Sequence, residues 1–228
     1  MRKMNETSLS PRHRTAGVKT LVSCLAVGLA LSLSRAMAGT EMAETKPLSC
    51  CSDKDWTLEL GSGVGFSNVR SGQPNQAYTI VPISLTASLK LDDVSLDNFL
   101  GGFLRGYSEF YFRGDVDPIL HGPENHYEGV LVGPRYNFVQ PGWKIVPFIE
   151  GGVGIGFADS NPTQGGLGQD FNFTFDVAAG AKYNINDTWF LRLSADYQHV
   201  SNAGLSEPQF QNHPIDMLGP KLSVGFSF

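Results

Sequence analysis

The chain has 228 residues, 41% of them hydrophobic and only 17% charged, with 26 Gly and 15 Phe, a composition that excludes intrinsic disorder. Residues 1–38 carry six of the 17 Lys and Arg and one of the 22 Asp and Glu; the remaining 190 residues hold 11 basic and 21 acidic groups, a formal net of −10. Such a balance excludes nucleic acid, whose phosphates require a basic footprint.

The first segment reads as an export signal over residues 1–38. Arg2, Lys3, Arg12, Arg14 and Lys19 form a basic leader, residues 20–34 an apolar stretch, and Ala36-Met37-Ala38 a small-x-small cleavage site before Gly39. The alternative, a membrane anchor, needs about 20 apolar residues, more than the stretch supplies. Residues 39–55 read as a short polar linker. It contains the adjacent Cys50 and Cys51, which can form a vicinal disulfide, bond to a partner or stay reduced; neighbouring cysteines lack the spacing of a zinc site. A lipoprotein acceptor cysteine would need an apolar lead-in, and Lys46-Pro47-Leu48-Ser49 is not one.

From Trp56 onward no apolar 3.6-residue period is sustained, and the pattern has period two. Runs dense in Val, Ile, Phe and Tyr, bounded by turn residues, predict strands at 56–68, 76–91, 103–114, 126–138, 145–158, 171–185, 189–201 and 215–228. That is an even number, each long enough to span a bilayer when tilted. The connections 69–75, 115–125, 159–170 and 202–214 lie on one side, and 92–102, 139–144 and 186–188 on the other. Longer outer loops and shorter inner turns, with Pro141-Gly142 and Asn186-Asp187 as turn chemistry, predict an all-β, eight-stranded antiparallel transmembrane β-barrel over residues 56–228. Eight strands leave no aqueous channel.

The last strand has two distinct faces. Leu218, Leu222, Val224, Phe226 and Phe228 share one parity, suited to lipid; Gly219, Lys221, Ser223, Gly225 and Ser227 share the other, suited to a narrow filled lumen. Ending at an aromatic residue resembles the C-terminal signature of outer-membrane barrels. Trp56, Trp143 and Trp189 fall at inner strand ends, where an aromatic girdle belongs. Gly151, Gly152, Gly154 and Gly156 suit a crowded, strongly curved wall. A soluble lipocalin-like barrel would instead turn its apolar face inward around a cavity. Asp196, Gln198, Arg192, Arg135, Glu150, Arg105 and Glu109 are expected to form a polar network inside the lumen, since charges there must be satisfied internally.

One constellation carries chemistry. His199 and Ser201 are two apart near the outer end of the seventh strand, so they share a face with Cα atoms about 6–7 Å apart. Their parity is that of Trp189, Leu191, Leu193 and Tyr197, the lipid face. Polar groups there are costly without partners. Asp216 opens the eighth strand on the same face and should fall within one or two cross-strand positions. Hydroxyl, imidazole and carboxylate at the membrane–water boundary make a nucleophile, a base and a group that orients the base.

His199-Val200-Ser201-Asn202-Ala203-Gly204, followed by Asn212-His213-Pro214-Ile215-Asp216 and a last strand ending in Phe228, resembles the PagL-type lipid A 3-O-deacylase family of outer-membrane ester hydrolases. The resemblance implies an eight-stranded barrel with a Ser–His–acid triad: Ser201 as nucleophile, His199 as base, Asn202 at the oxyanion hole with the amides of Ala203 and Gly204, and Asn212 as a second asparagine near the site. Asp216 stands where the family often has Glu, and the loop around residues 209–211 looks longer; Glu207 is the alternative acid. The implied substrate is lipid A of lipopolysaccharide in the outer leaflet, losing an ester-linked 3-hydroxyacyl chain from the 3-O position without a cofactor. A homodimer is compatible with such a barrel.

A second reading belongs to another class: a structural or adhesive barrel of the OmpA type, without turnover. His121, His126 and Glu124 in one outer loop, and Asp159 and Asp170 in another, are read as solvated loop rather than metal ligands, and no metal site is predicted.

Overall fold

The computed structural model describes residues 54–67, 77–96 and 102–228. The export signal expected over residues 1–38, and Cys50 and Cys51, lie outside the described residues. Among the described residues the extended segments merge into eight strands: β1 (Trp56–Gly63, resuming at Gly65–Ser67), β2 (Tyr78–Ile80, resuming at Ile83–Lys90), β3 (Gly106–His121), β4 (His126–Phe138), β5 (Ile145–Ala158), β6 (Phe171–Asn184), β7 (Trp189–Ser201) and β8 (Ile215–Ser227). Each pairs antiparallel with its neighbour in the chain, and β8 pairs with β1 from Thr57↔Ser227 to Gly63↔Lys221, closing the cylinder. The fold is the predicted closed barrel. Closure leaves no open edge, the condition for crossing a bilayer with strands.

The interruptions have a local cause. Pro82, Pro118 and Pro220 lack the N–H that a ladder needs. Around them the chain bonds through their carbonyls instead: Gly63 N–H donates to Pro82, Val64 N–H to Pro220, each at 3.2 Å, and Val81 N–H to Pro118 at 3.0 Å. The register shifts at Thr79/Ile80 accordingly. The other departure is β3, expected to end at Gly114 but continuing to His121. Gly114-Asp115-Val116-Asp117-Pro118 has the composition of a turn. Alternation instead sends Asp115 and Asp117 into the lumen, both buried, while Val116 stays exposed. The connection that follows is correspondingly short.

The bore is filled in three layers. Near the inner end Tyr107, Val139 and Val146 form a small apolar cluster. Above it lie the charges. The Arg135 guanidinium meets Glu59 at 2.8 Å, Glu109 at 2.9 Å and Glu150 at 2.5 Å. Arg192 shares Glu59 at 3.0 Å, Arg113 binds Asp115 at 3.0 Å and Asp176 at 2.5 Å, and Lys221 binds Asp196 at 2.9 Å. Of the residues expected in this network, Arg105 stands apart. It lies at the inner rim, where its Nη1 donates to the Val139 carbonyl at 3.0 Å, because β3 begins only at Gly106. The outermost layer is an apolar plug of Tyr78, Ile80, Ile119, Tyr127, Ala158, Leu167, Val200, Ile215 and Met217, where a polar filling was expected. Gly152 and Gly156 make room for bulk inside: a Cβ on either would collide with the hydroxyls of Tyr111 and Tyr127.

Outside, Leu85, Ile149, Val153, Leu193, Leu218 and Leu222 are all more than half exposed, forming the lipid-facing band. Trp56, Trp143 and Trp189 are also exposed, and Trp189 packs edge-to-face on Phe226 at 5.2 Å.

Arg135 serves three buried carboxylates, and its loss leaves Glu109 and Glu150 with only the long contacts to Arg192 at 3.9 Å and Arg113 at 3.8 Å, while Glu59 keeps Arg192 at 3.0 Å. Removing one partner from a buried ion pair costs about 3–5 kcal/mol. Arg135→Ala should lower the unfolding free energy of the detergent-solubilised barrel by about that amount in urea titrations. Lys90→Ala, whose bridge is to the exposed Asp93, should shift the same curve little.

Candidate active site

The outer end of β7 keeps the alternation of the rest of the strand. Phe190, Arg192, Ser194, Gln198 and Val200 point inward and are buried. His199 and Ser201 therefore stand on the outward wall, partly buried. β8 runs back beside it with Asp216 directly opposite His199 and Ile215 opposite Val200. In that register the His199 Nδ1 lies 2.7 Å from Asp216 Oδ1. Tyr197, two residues earlier on the same face, donates its hydroxyl to the same oxygen at 2.6 Å. The Asp216 side chain is 17% exposed and that of His199 32%, so the pair is shielded yet reachable from outside.

Ser201 ends β7, and the chain then folds back sharply. Ala203 and Gly204 adopt left-handed backbone, φ 55° and 79°, a geometry that costs about 1–2 kcal/mol at a non-glycine residue. The fold-back aims the Ala203 N–H at Ser201 Oγ, 3.2 Å away. From the far end of the loop Asn212 donates its side-chain amide to the same oxygen at 2.8 Å. Two donors thus converge on one hydroxyl oxygen.

Asn202 enters the site differently from the sequence-based expectation. Its side chain is fully buried and is turned into the loop, with Oδ1 accepting the Gly204 N–H at 2.9 Å and Nδ2 donating to Ser206 Oγ at 2.9 Å. Ser206 in turn donates to the Phe210 carbonyl at 2.9 Å. The left-handed turn is the reason: it brings Gly204 N–H back over its own neighbour, so Asn202 and Gly204 brace each other while Ala203 and Asn212 face Ser201. Glu207 lies elsewhere, at a cavity of about 530 Å³ between the loops 159–170 and 202–214. The carboxylate beside His199 is that of Asp216.

Tyr197 and Ser206 were absent from the sequence-based set. The parity of Tyr197 with His199 was a legible signal. The role of Ser206 depends on a loop conformation that no periodicity encodes.

The remaining candidates are engaged within the outer loops. Asp159 accepts the backbone N–H groups of Asn125 and His126 at 2.8 and 3.1 Å. Burial pushes its carboxyl up, but hydrogen bonds from the Asn125 side chain and from both backbone amides, with His126 alongside, hold it below its usual range. Asp170 accepts from the Ser160 hydroxyl at 2.6 Å. Glu124 is buried against Tyr78. Among the described residues no three His, Cys, Asp or Glu side chains gather as metal ligands.

Beside the site the wall is aromatic. Phe173 of β6 pairs with Ser201 and Phe175 with His199, and both rings are exposed. Phe157, Phe171 and Phe173 pack edge-to-face at 5.5 and 5.3 Å.

Several solved structures are similar to this chain. The crystal structure of the outer membrane enzyme PagL superposes with a TM-score of 0.53 at 20% identity, covering 73% of this chain and 97% of that one. Neisserial surface protein A follows with a TM-score of 0.47 at 11% identity, covering 76% and 97%. The N-terminal β-barrel domain of Pseudomonas aeruginosa OprF has a TM-score of 0.45 at 16% identity, covering 75% and 97%. No curated protein matches. The family model described as Lipid A 3-O-deacylase (PagL) matches residues 52–225. With most of its length accounted for by that model, the chain belongs to the PagL family of lipid A 3-O-deacylases, carboxylic ester hydrolases of the bacterial outer membrane.

Proposed function

We propose that the protein removes the ester-linked 3-hydroxyacyl chain at the 3-O position of lipid A with Ser201 as nucleophile, His199 as base and Asp216 as the carboxylate that orients the base. The observation that carries this reading is the Asp216–His199 contact of 2.7 Å, directly across the β7–β8 ladder. Ser201 lies two residues along on the same outward wall.

The chemistry follows from that arrangement. A carboxylate on Nδ1 keeps the imidazole proton there, leaving Nε2 to take the proton of the Ser201 hydroxyl. Ser201 Oγ attacks the ester carbonyl carbon and an oxyanion forms on that carbon, two bonds from Oγ. The Ala203 N–H and the Asn212 amide, already converging on Oγ, are the donors positioned to receive that charge. Such a donor is worth about 3–4 kcal/mol of transition-state stabilisation. Collapse of the intermediate breaks the bond to the sugar oxygen, which takes the proton from His199. Water, activated by the same imidazole, then releases the hydroxy fatty acid from Ser201. The exposed ring row of Phe157, Phe173 and Phe175 offers an apolar track for the acyl chain beside the nucleophile.

Two measurements test this. Cells expressing the wild type should carry lipid A lighter by one hydroxyacyl chain than cells expressing Ser201→Ala, with equal amounts of assembled barrel in both. Identical lipid A in the two strains would leave the non-catalytic barrel reading instead. Neutralising an orienting carboxylate costs about 10⁴ in kcat in Ser–His–Asp hydrolases. Asp216→Asn should therefore lose three to four orders of magnitude in kcat, while Glu207→Gln should stay close to wild type; the reverse pattern would move the acid to Glu207.

A further inference from the structure

Glu124 occupies an unusual position. It sits in the tight outer turn between β3 and β4, where a carboxylate would ordinarily be hydrated, yet it is only 2% exposed. Its Oε2 accepts the Tyr78 hydroxyl at 2.7 Å, and its Oε1 accepts the backbone N–H groups of Leu167 at 2.6 Å and Asn161 at 3.4 Å. A carboxylate buried at an apolar mouth is tolerated only when such donors satisfy it. The donors come from two separate parts of the chain, β2 and the loop 159–170, so the carboxylate ties that loop to the barrel mouth.

The tie has close-fitting neighbours on both sides. At Gly166 a Cβ would strike Glu124 Oε1, so the loop backbone lies directly against the carboxylate. Leu167 is fully buried in the plug that also contains Val200 and Ile215. Val200 is the residue between His199 and Ser201, and its ladder partner Ile215 precedes Asp216. At Gly168 a Cβ would strike Ser206 Oγ and come within 3.0 Å of Asn202 Nδ2. Three consecutive loop residues thus touch the carboxylate, the plug behind the triad strands, and the brace of the turn that carries Ala203.

We infer that Glu124 is a positioning residue for the reaction: through loop 159–170 it holds Asn202 and Ser206, and hence the Ala203 N–H, in register with Ser201. This rests on the function proposed above. Glu124 touches no reacting atom. Its effect is on the geometry of the transition-state donor rather than on the lipid-facing wall that receives the acyl chain, so its loss should fall on kcat and leave KM in place. Misplacement by about 1 Å of a group that must be aligned costs up to about a hundredfold in rate.

The test measures release of the hydroxyacyl chain from purified lipopolysaccharide by the full-length protein in detergent, with barrel assembly followed by heat-modifiable gel migration. Wild type, Ser201→Ala, Glu124→Ala, Glu124→Gln and Gly168→Ala are compared. Glu124→Ala should fold but lose about tenfold to a hundredfold in kcat with KM within twofold of wild type. Glu124→Gln, which keeps an acceptor for the loop amides, should recover most of that loss. Gly168→Ala, which pushes a methyl onto Ser206 from the other side of the loop, should reproduce the kcat defect, and it decides the matter if Glu124→Ala fails to assemble. Wild-type kcat in an assembled Glu124→Ala barrel, or in Gly168→Ala, overturns the inference, as does a defect confined to KM. If wild type releases no more acid than Ser201→Ala, the proposed function itself falls; if only Ser201→Ala is inactive, the function stands and the positioning role of Glu124 falls.

Discussion

The register of β7 against β8 is the constraint on which the site depends. In an antiparallel ladder a slip of one residue exchanges the two faces of a strand. Such a slip would send Asp216 into the bore and leave His199 alone against hydrocarbon. Contacts at three depths hold the same alignment. Trp189 faces Phe226 across the ladder at the inner rim and packs on it. Lys221, opposite Ser194, reaches Asp196 in the lumen. Ile215 and Val200 meet inside the apolar plug. The candidate site therefore inherits its geometry from packing along the whole strand pair, most of it remote from His199, Ser201 and Asp216.

The lumen explains why so small a barrel can carry a rigid site on its outer surface. Buried guanidinium groups each bridge several carboxylates drawn from different strands: Arg135 alone joins β4 to β1, β3 and β5. These bonds run across the bore, and they resist shear between strands that the ladder hydrogen bonds alone would permit. Above them the plug closes the mouth with apolar side chains, and the loop 159–170 is seated on it through Leu167.

Much of this was legible in the residues themselves. Strict alternation in β7 and β8 identified the outward parity, and with it the shared face of His199, Ser201 and Asp216. The strand spans from His126 onward were also readable, because turn residues bounded each run. What escaped the sequence did so for physical reasons. Asp115 and Asp117 look like a loop when hydrophobicity is the guide, yet a lumen lined with Arg113 and Lys221 accepts them as strand. The expectation of a polar bore missed the mouth, where inward strand residues such as Ile80, Tyr127, Val200 and Ile215 are apolar and are joined by Leu167 from a loop. The packing of the Asn202 side chain into the loop was not readable: it depends on the left-handed turn at Ala203 and Gly204.

On the proposed function, the outward placement of the candidate site also sets the dimensionality in which the enzyme works. A substrate that arrives by lateral diffusion within one leaflet is counted by its mole fraction among neighbouring lipids, not by its molarity in bulk water. Half-saturation of such a catalyst is then a surface composition, and dilution of the cell suspension leaves the rate untouched. The liberated fatty acid enters the same two-dimensional phase, and its amphiphilic character keeps it beside the barrel until it equilibrates with the surrounding lipid.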